Sequence, residues 1–196
     1  MVDSRYVKSK HLYPFIPPGN MPIPPVKENT QTFNAGTVTI GVEYRVLTDA
    51  LVAAMGKKAA PEIGSLDDAG VSIHVFVKAP DGDLERLRFD CFEKEPHYHY
   101  ISWKKSYNDH VFADPTVYTD FLAWSLEMIR TRLVPMLEKA DVNGAAQIVD
   151  RKSIERILPT VSEAAYQARR HADKERTSRA AFAAGEILGA EPRSML

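Results

Sequence analysis

Residues 71–103 read VSIHVFVKAPDGDLERLRFDCFEKEPHYHYISW, and the fold turns on which side chains of this stretch share a face. Val71, Ile73, Val75 and Val77 alternate with Ser72, His74, Phe76 and Lys78, the period of a β-strand. Leu87, Phe89 and Cys91 alternate in the same way with Arg86, Arg88, Asp90 and Phe92. Tyr98 and Tyr100 then alternate with His97, His99, Ile101 and Trp103. The PDGD and EKEP segments between the runs carry turn residues, so three antiparallel strands are expected. A slip of one residue turns a whole strand over, so the register must gather the apolar faces on one side. A three-residue turn, Asp81 to Asp83, pairs Val77 with Leu87, Val75 with Phe89 and Ile73 with Cys91. A two-residue turn would set valines opposite arginines and is rejected. Around EKEP, Asp90 faces His99 and Phe89 faces Tyr100.

Upstream, GTVTIGVEYRV puts Val38, Ile40, Val42, Tyr44 and Val46 on one face, which predicts a further half-buried strand. Leu47, Leu51 and Ala54 or Met55 suggest a short helix that stops near Gly56 or Pro61. Residues 1–34 are read as an extended arm, because Tyr13 to Pro25 hold six prolines in thirteen residues. Tyr13, Phe15 and Ile16 would pin that arm to the domain surface. Downstream the period changes. Asp114 before Pro115 reads as a helix start, and Tyr118, Phe121, Leu122, Met128, Ile129, Leu133, Met136 and Leu137 form one apolar stripe. Pro135 should kink or interrupt that helix. Ile154, Ile157 and Leu158 mark a short helix cut by Pro159, and Thr160 with Glu163 reads as a capping box opening the last one. The expected fold is α+β: a small antiparallel β-meander of three to four strands, packed on one face by C-terminal helices, with a Pro-rich N-terminal arm. The domain spans 35–196, mainly strands over 35–113 and helical over 114–196.

The chain of 196 residues has net charge −1, so nothing draws it toward nucleic acid. No apolar run reaches the roughly 20 residues of a membrane helix. Charges and prolines occupy the N-terminal segment where a secretory signal would be apolar, and Cys91 is the single cysteine. A cytoplasmic protein is expected. The chosen register places His74, Asp90 and His99 about 5 Å apart across three strands, with His97 and Arg88 beside them. Two imidazoles and a carboxylate on one rigid surface can hold iron or zinc with positions open, so His74, Asp90, His97 and His99 are the candidate metal ligands. The plainer reading is a solvated sheet face with ordinary cross-strand polar pairs. Phe76, Phe92 and Trp103 on that face, with Arg88, argue against solvent and for a cover or a partner. His110 is placed in a loop, where a solvated role is the simpler one. Two functions follow. The first is an accessory or regulatory subunit, a binding protein of a cytoplasmic complex or a homo-oligomer, with no cofactor. The second is a small metal-dependent oxygenase or hydrolase.

Overall fold

The computed structural model describes residues 21–49, 67–79, 82–114 and 116–188. Six strands form one antiparallel sheet in chain order: β1 (Gln31–Ala35), β2 (Val38–Thr48), β3 (Asp67–Ala79), β4 (Gly82–Phe92), β5 (His97–Ser102) and β6 (Tyr107–Phe112). Three helices follow: α1 (Phe121–Lys139), α2 (Ala145–Ile148) and α3 (Arg151–Leu188). The α+β class and the antiparallel sheet are as expected, but the sheet has six strands rather than three to four. β1 starts at Gln31, inside the segment read as arm, and turns at Gly36, whose φ of +77° suits glycine. β6 occupies the segment read as a loop. Its alternation, Asn108, His110 and Phe112 against Tyr107, Asp109 and Val111, is masked in sequence by its polar content.

The faces follow the expected parity, although both turns are registered two residues away from the expected pairing. Val75 pairs with Leu87, Ile73 with Phe89 and Val71 with Cys91, while Phe89 pairs with Tyr98 and Asp90 with His97. The rejected short turn is the one used: Ala79 pairs with Gly82, and a β-bulge restores the phase. Phe76 faces Glu85 and Val75 faces Leu87, so Arg86 is the additional residue. Without that bulge Val75 would oppose Arg86 and Ile73 would oppose Arg88.

The inner face is apolar and buried: Val38, Ile40, Val42, Ile73, Val75, Leu87 and Phe89 pack on Leu122, Ile129, Leu133, Leu137, Ile154, Val161 and Ala165 of the helices. α1 lies under β4 and β5, and α3 under β1, β2 and β3. α1 begins six residues beyond the expected start, because Asp120 is its cap and accepts from the Ala123 N–H at 3.1 Å. Asp114 closes a single turn instead, accepting from Thr116. Pro135 does not interrupt α1, and Pro159 does not divide α3. Both prolines face solvent. Asp150, bonded to the Lys152 and Ser153 N–H groups, caps the whole of α3. Tyr13, Phe15, Ile16, Pro115 and the expected helix after Leu47 lie outside the described residues, save that Leu47 and Thr48 end β2.

The outer face is buried as well. Residues 21–30 run as a strap along β2, with Met21, Pro22, Pro24 and Pro25 buried. Arg45 donates to the Ile23 carbonyl at 3.2 Å, and the Val26 N–H donates to Glu43 Oε1 at 3.3 Å. The strap passes close over Gly41, where a Cβ would sit 2.9 Å from the Thr30 methyl. Among the described residues no helix is long and apolar enough to cross a membrane.

Candidate functional site

Antiparallel pairing sets two polar rows across the outer face. Gly41, His74, Arg88, His99 and His110 form one, and Glu43, Ser72, Asp90, His97 and Phe112 the other. Alternate residues of a strand share a face, so the His-x-His of β5 contributes one ring to each row. The rows contain two clusters.

The first cluster joins β4, β5 and β6. Asp90 Oδ2 lies 3.1 Å from His99 Nε2 and 3.3 Å from His97 Nε2, and Ser72 donates a short hydrogen bond to Asp90 Oδ1. The other nitrogen of each ring is engaged: His97 Nδ1 lies 2.7 Å from the Glu95 carbonyl oxygen and His99 Nδ1 lies 2.8 Å from Asn108 Oδ1. His110 enters from the edge strand, stacked on His99 with centroids 4.2 Å apart. Ring nitrogens of His97, His99 and His110 lie within 4.8 Å of one another. His97 and His99 are buried, whereas His110 is exposed. Burial pushes the Asp90 carboxyl up, but its hydrogen bonds to His97 and His99 and the charge of Arg88 hold it well below the usual carboxylate range. Burial pulls the His97 ring down, and Asp90 outweighs it, leaving His97 above its ordinary value. For His99 burial prevails. Although exposed at one edge, the His110 ring packs on His97 and His99 with its centroid 4.2 Å from each, and this partial loss of water and then the charges of the two rings push it down to about 3.

The second cluster joins β2, β3 and β4. His74 Nδ1 lies 2.6 Å from Glu85 Oε1, and Arg88 donates to both Glu85 oxygens at 2.8 and 2.6 Å. His74 Nε2 and Glu43 Oε2 face each other at 3.5 Å, and neither has a hydrogen-bond partner. Glu85 and Arg88 share a face only because of the bulge, since residues three apart in a regular strand point to opposite sides. Burial pushes His74 down to about 4 and Glu85 up, each toward its uncharged form.

Of the candidate ligands, Asp90, His97 and His99 come together, and His74 goes to Glu43 and Glu85. His110 takes the place expected of His74. Of the four residues assigned to a partner surface, Phe76 is 2% exposed, Phe92 5% and Arg88 2%, and the half-buried Trp103 donates to the Glu85 carbonyl at 2.7 Å. Glu85 escapes sequence reading because strict alternation sends it inward. Cys91 sits on the inner face, its Sγ 3.6 Å from Ser125 Oγ, with burial pushing the thiol up to about 12.

Comparison with curated proteins and with solved structures gives no match. A family model described as Domain of unknown function (DUF7700) matches residues 32–165, the six strands, α1, α2 and the first part of α3. That span is more than half of the sequence and contains both clusters, and the chain therefore belongs to the DUF7700 family.

Proposed function

We propose that the protein is a small metal-dependent enzyme, a hydrolase or an oxygenase, binding a divalent ion such as zinc or iron through His97, His99 and His110. One observation carries the reading: ring nitrogens and a buried carboxylate converge with more lone pairs than hydrogens. A carbonyl oxygen only accepts, so the hydrogen of a neutral His97 sits on Nδ1, toward Glu95. The hydrogen of His99 sits toward Asn108 Oδ1 in the same way. Both Nε2 atoms then present lone pairs to Asp90 Oδ2, an arrangement that calls for a cation. A proton on His97 supplies one charge; a metal ion serves all the groups together.

Imidazole and carboxylate suit zinc and iron, and engaged outer nitrogens are what ligating histidines have. His110 at the sheet edge leaves the solvent side of the cluster open, as a catalytic centre requires. When bound, the ion would supply a Lewis-acid centre for substrate or water. Asp90 orients the His97 and His99 rings, and Ser72 fixes Asp90. Phe112, 57% exposed and 4.9 Å from the His110 ring, offers an apolar wall beside the opening. The setting proposed is the cytoplasm.

Metal analysis of the purified protein tests the reading. Near-stoichiometric iron, zinc or manganese is expected, and a His99→Ala variant should lose it. A folded wild type that takes up none of these ions would sink the proposal.

A second reading, an accessory subunit or homo-oligomer, is favoured by β6. It ends the sheet order and carries Tyr107 at 51% exposure with Phe112. Open strand edges pair with other chains. Light scattering after size exclusion should then give a mass above 22.0 kDa that falls in Phe112→Asp; a strict monomer counts against it.

A further inference from the structure

The second cluster has no part in the proposed metal centre, and its hydrogen bonding is incomplete as it stands. His74 is fully buried between two carboxylates, one toward each ring nitrogen. A neutral imidazole carries one N–H. If that hydrogen points to Glu85, then Nε2 and Glu43 Oε2 confront each other with lone pairs at 3.5 Å. If it points to Glu43, the 2.6 Å contact with Glu85 has no hydrogen in it. Either arrangement leaves a buried acceptor pair unbridged, which carries the full desolvation penalty of both groups.

The geometry points to one extra proton held in the Glu43–His74–Glu85 row, which fastens the 21–30 strap to the sheet. With that proton every contact has a hydrogen: one bridges Nε2 and Glu43, the other is shared between Nδ1 and Glu85 Oε1. The charged groups acting on the row are Glu43 and Arg45 from β2 and Glu85, Arg88 and Asp90 from β4, Asp90 adding to the upward pressure on Glu85; Phe76 stacks on the His74 ring at 6.0 Å. The strap reaches the row through backbone groups, with the Val26 N–H on Glu43 Oε1 and the Ile23 carbonyl on Arg45. Glu43 therefore belongs to both, one oxygen on the strap and the other on His74. Loss of the proton leaves Glu43 Oε2 against a bare nitrogen, and the favourable response is for Glu43 to turn outward, taking the Val26 contact with it.

The linkage has a definite sign. A lifted strap exposes His74 to water, where its ordinary value is about 6.5; burial pulls the His74 ring itself down, so the closed row keeps its proton to higher pH through Glu85, whose burial favours the protonated form 2.6 Å from Nδ1. The strap is held fully below about pH 6.5 and is released as pH rises through the value of the closed row. Between those limits the opening equilibrium rises roughly tenfold per pH unit, beyond the ordinary base dependence of amide exchange.

Two measurements on the full chain test this. Low-field proton NMR of ring-labelled protein at pH 7 should find a proton at each ring nitrogen of His74; a single proton overturns the inference, and this readout needs no variant. Hydrogen exchange at the Val26 amide should show the additional pH dependence. Glu43→Gln should abolish that dependence, because its amide N–H can serve a neutral His74 while its oxygen still accepts from Val26. An unchanged pH profile in that variant also overturns the inference.

Discussion

Asp90 is the residue on which the outer face depends. Its two oxygens meet Ser72, His97 and His99 within a sheet that excludes water. Held well below the ordinary carboxylate value of about 3.9, it contributes stability that is complete above about pH 4 and is lost as pH falls toward its folded value. Urea unfolding of the metal-free protein between pH 2 and 6 should therefore show a steeper acid loss in wild type than in Asp90→Asn. The same variant should weaken zinc binding by about 10- to 100-fold, measured by chelator competition, since it removes the group that orients two ligand rings. Which residues approach Asp90 was partly legible in the sequence. The parity of HYHY keeps both histidines on the polar face through the two-residue shift in register. His110 was not legible, because a six-residue edge strand with an Asn, an Asp and a His resembles a loop.

At the scale of the element, β4 shows what alternation can and cannot determine. Leu87, Phe89 and Cys91 face inward as their spacing implies, yet the bulge at Arg86 shifts the register by one residue and brings Glu85 outward. Nothing local distinguishes LER in a bulge from LER in a regular strand. The helices show the opposite: Pro135 and Pro159 punctuate the sequence but do not end the helices that contain them. Pro159 looks like a helix stop, but α3 buries Ile154, Leu158, Val161 and Ala165 along one continuous stripe, and packing on both sides outweighs one missing hydrogen bond. Pro159→Ala should accordingly stabilise the protein, by up to about 3 kcal/mol if the ring is tolerated at full cost. A raised unfolding midpoint with unchanged helical signal is the expected result, and a lowered midpoint would mean that the ring packs favourably.

For the whole molecule, the composition and the order of strands before helices were enough for the α+β class. They could not reveal that the outer face is interior. Phe76, Phe92 and Trp103 signalled a cover, and on the β2 side that cover includes the chain's own strap. A bound ion should stabilise the entire fold, because the unfolded chain cannot assemble the three imidazoles. At 100 times its dissociation constant a ligand contributes about 2.7 kcal/mol, which in a chain of this size raises the melting temperature by roughly 5–10 °C. Zinc-loaded protein should lose that increment on addition of EDTA, and His97→Ala should show neither the gain nor the loss.

The strand order β1 to β6 has a consequence for synthesis. Each strand joins its immediate predecessor, so closure entropy is small for most steps and the ribbon can extend as the polypeptide leaves the ribosome. Residues 21–30 are translated before any of the surface they cover. They must wait at least until β2 has emerged, so the earliest described segment to be made docks only after the strand it covers.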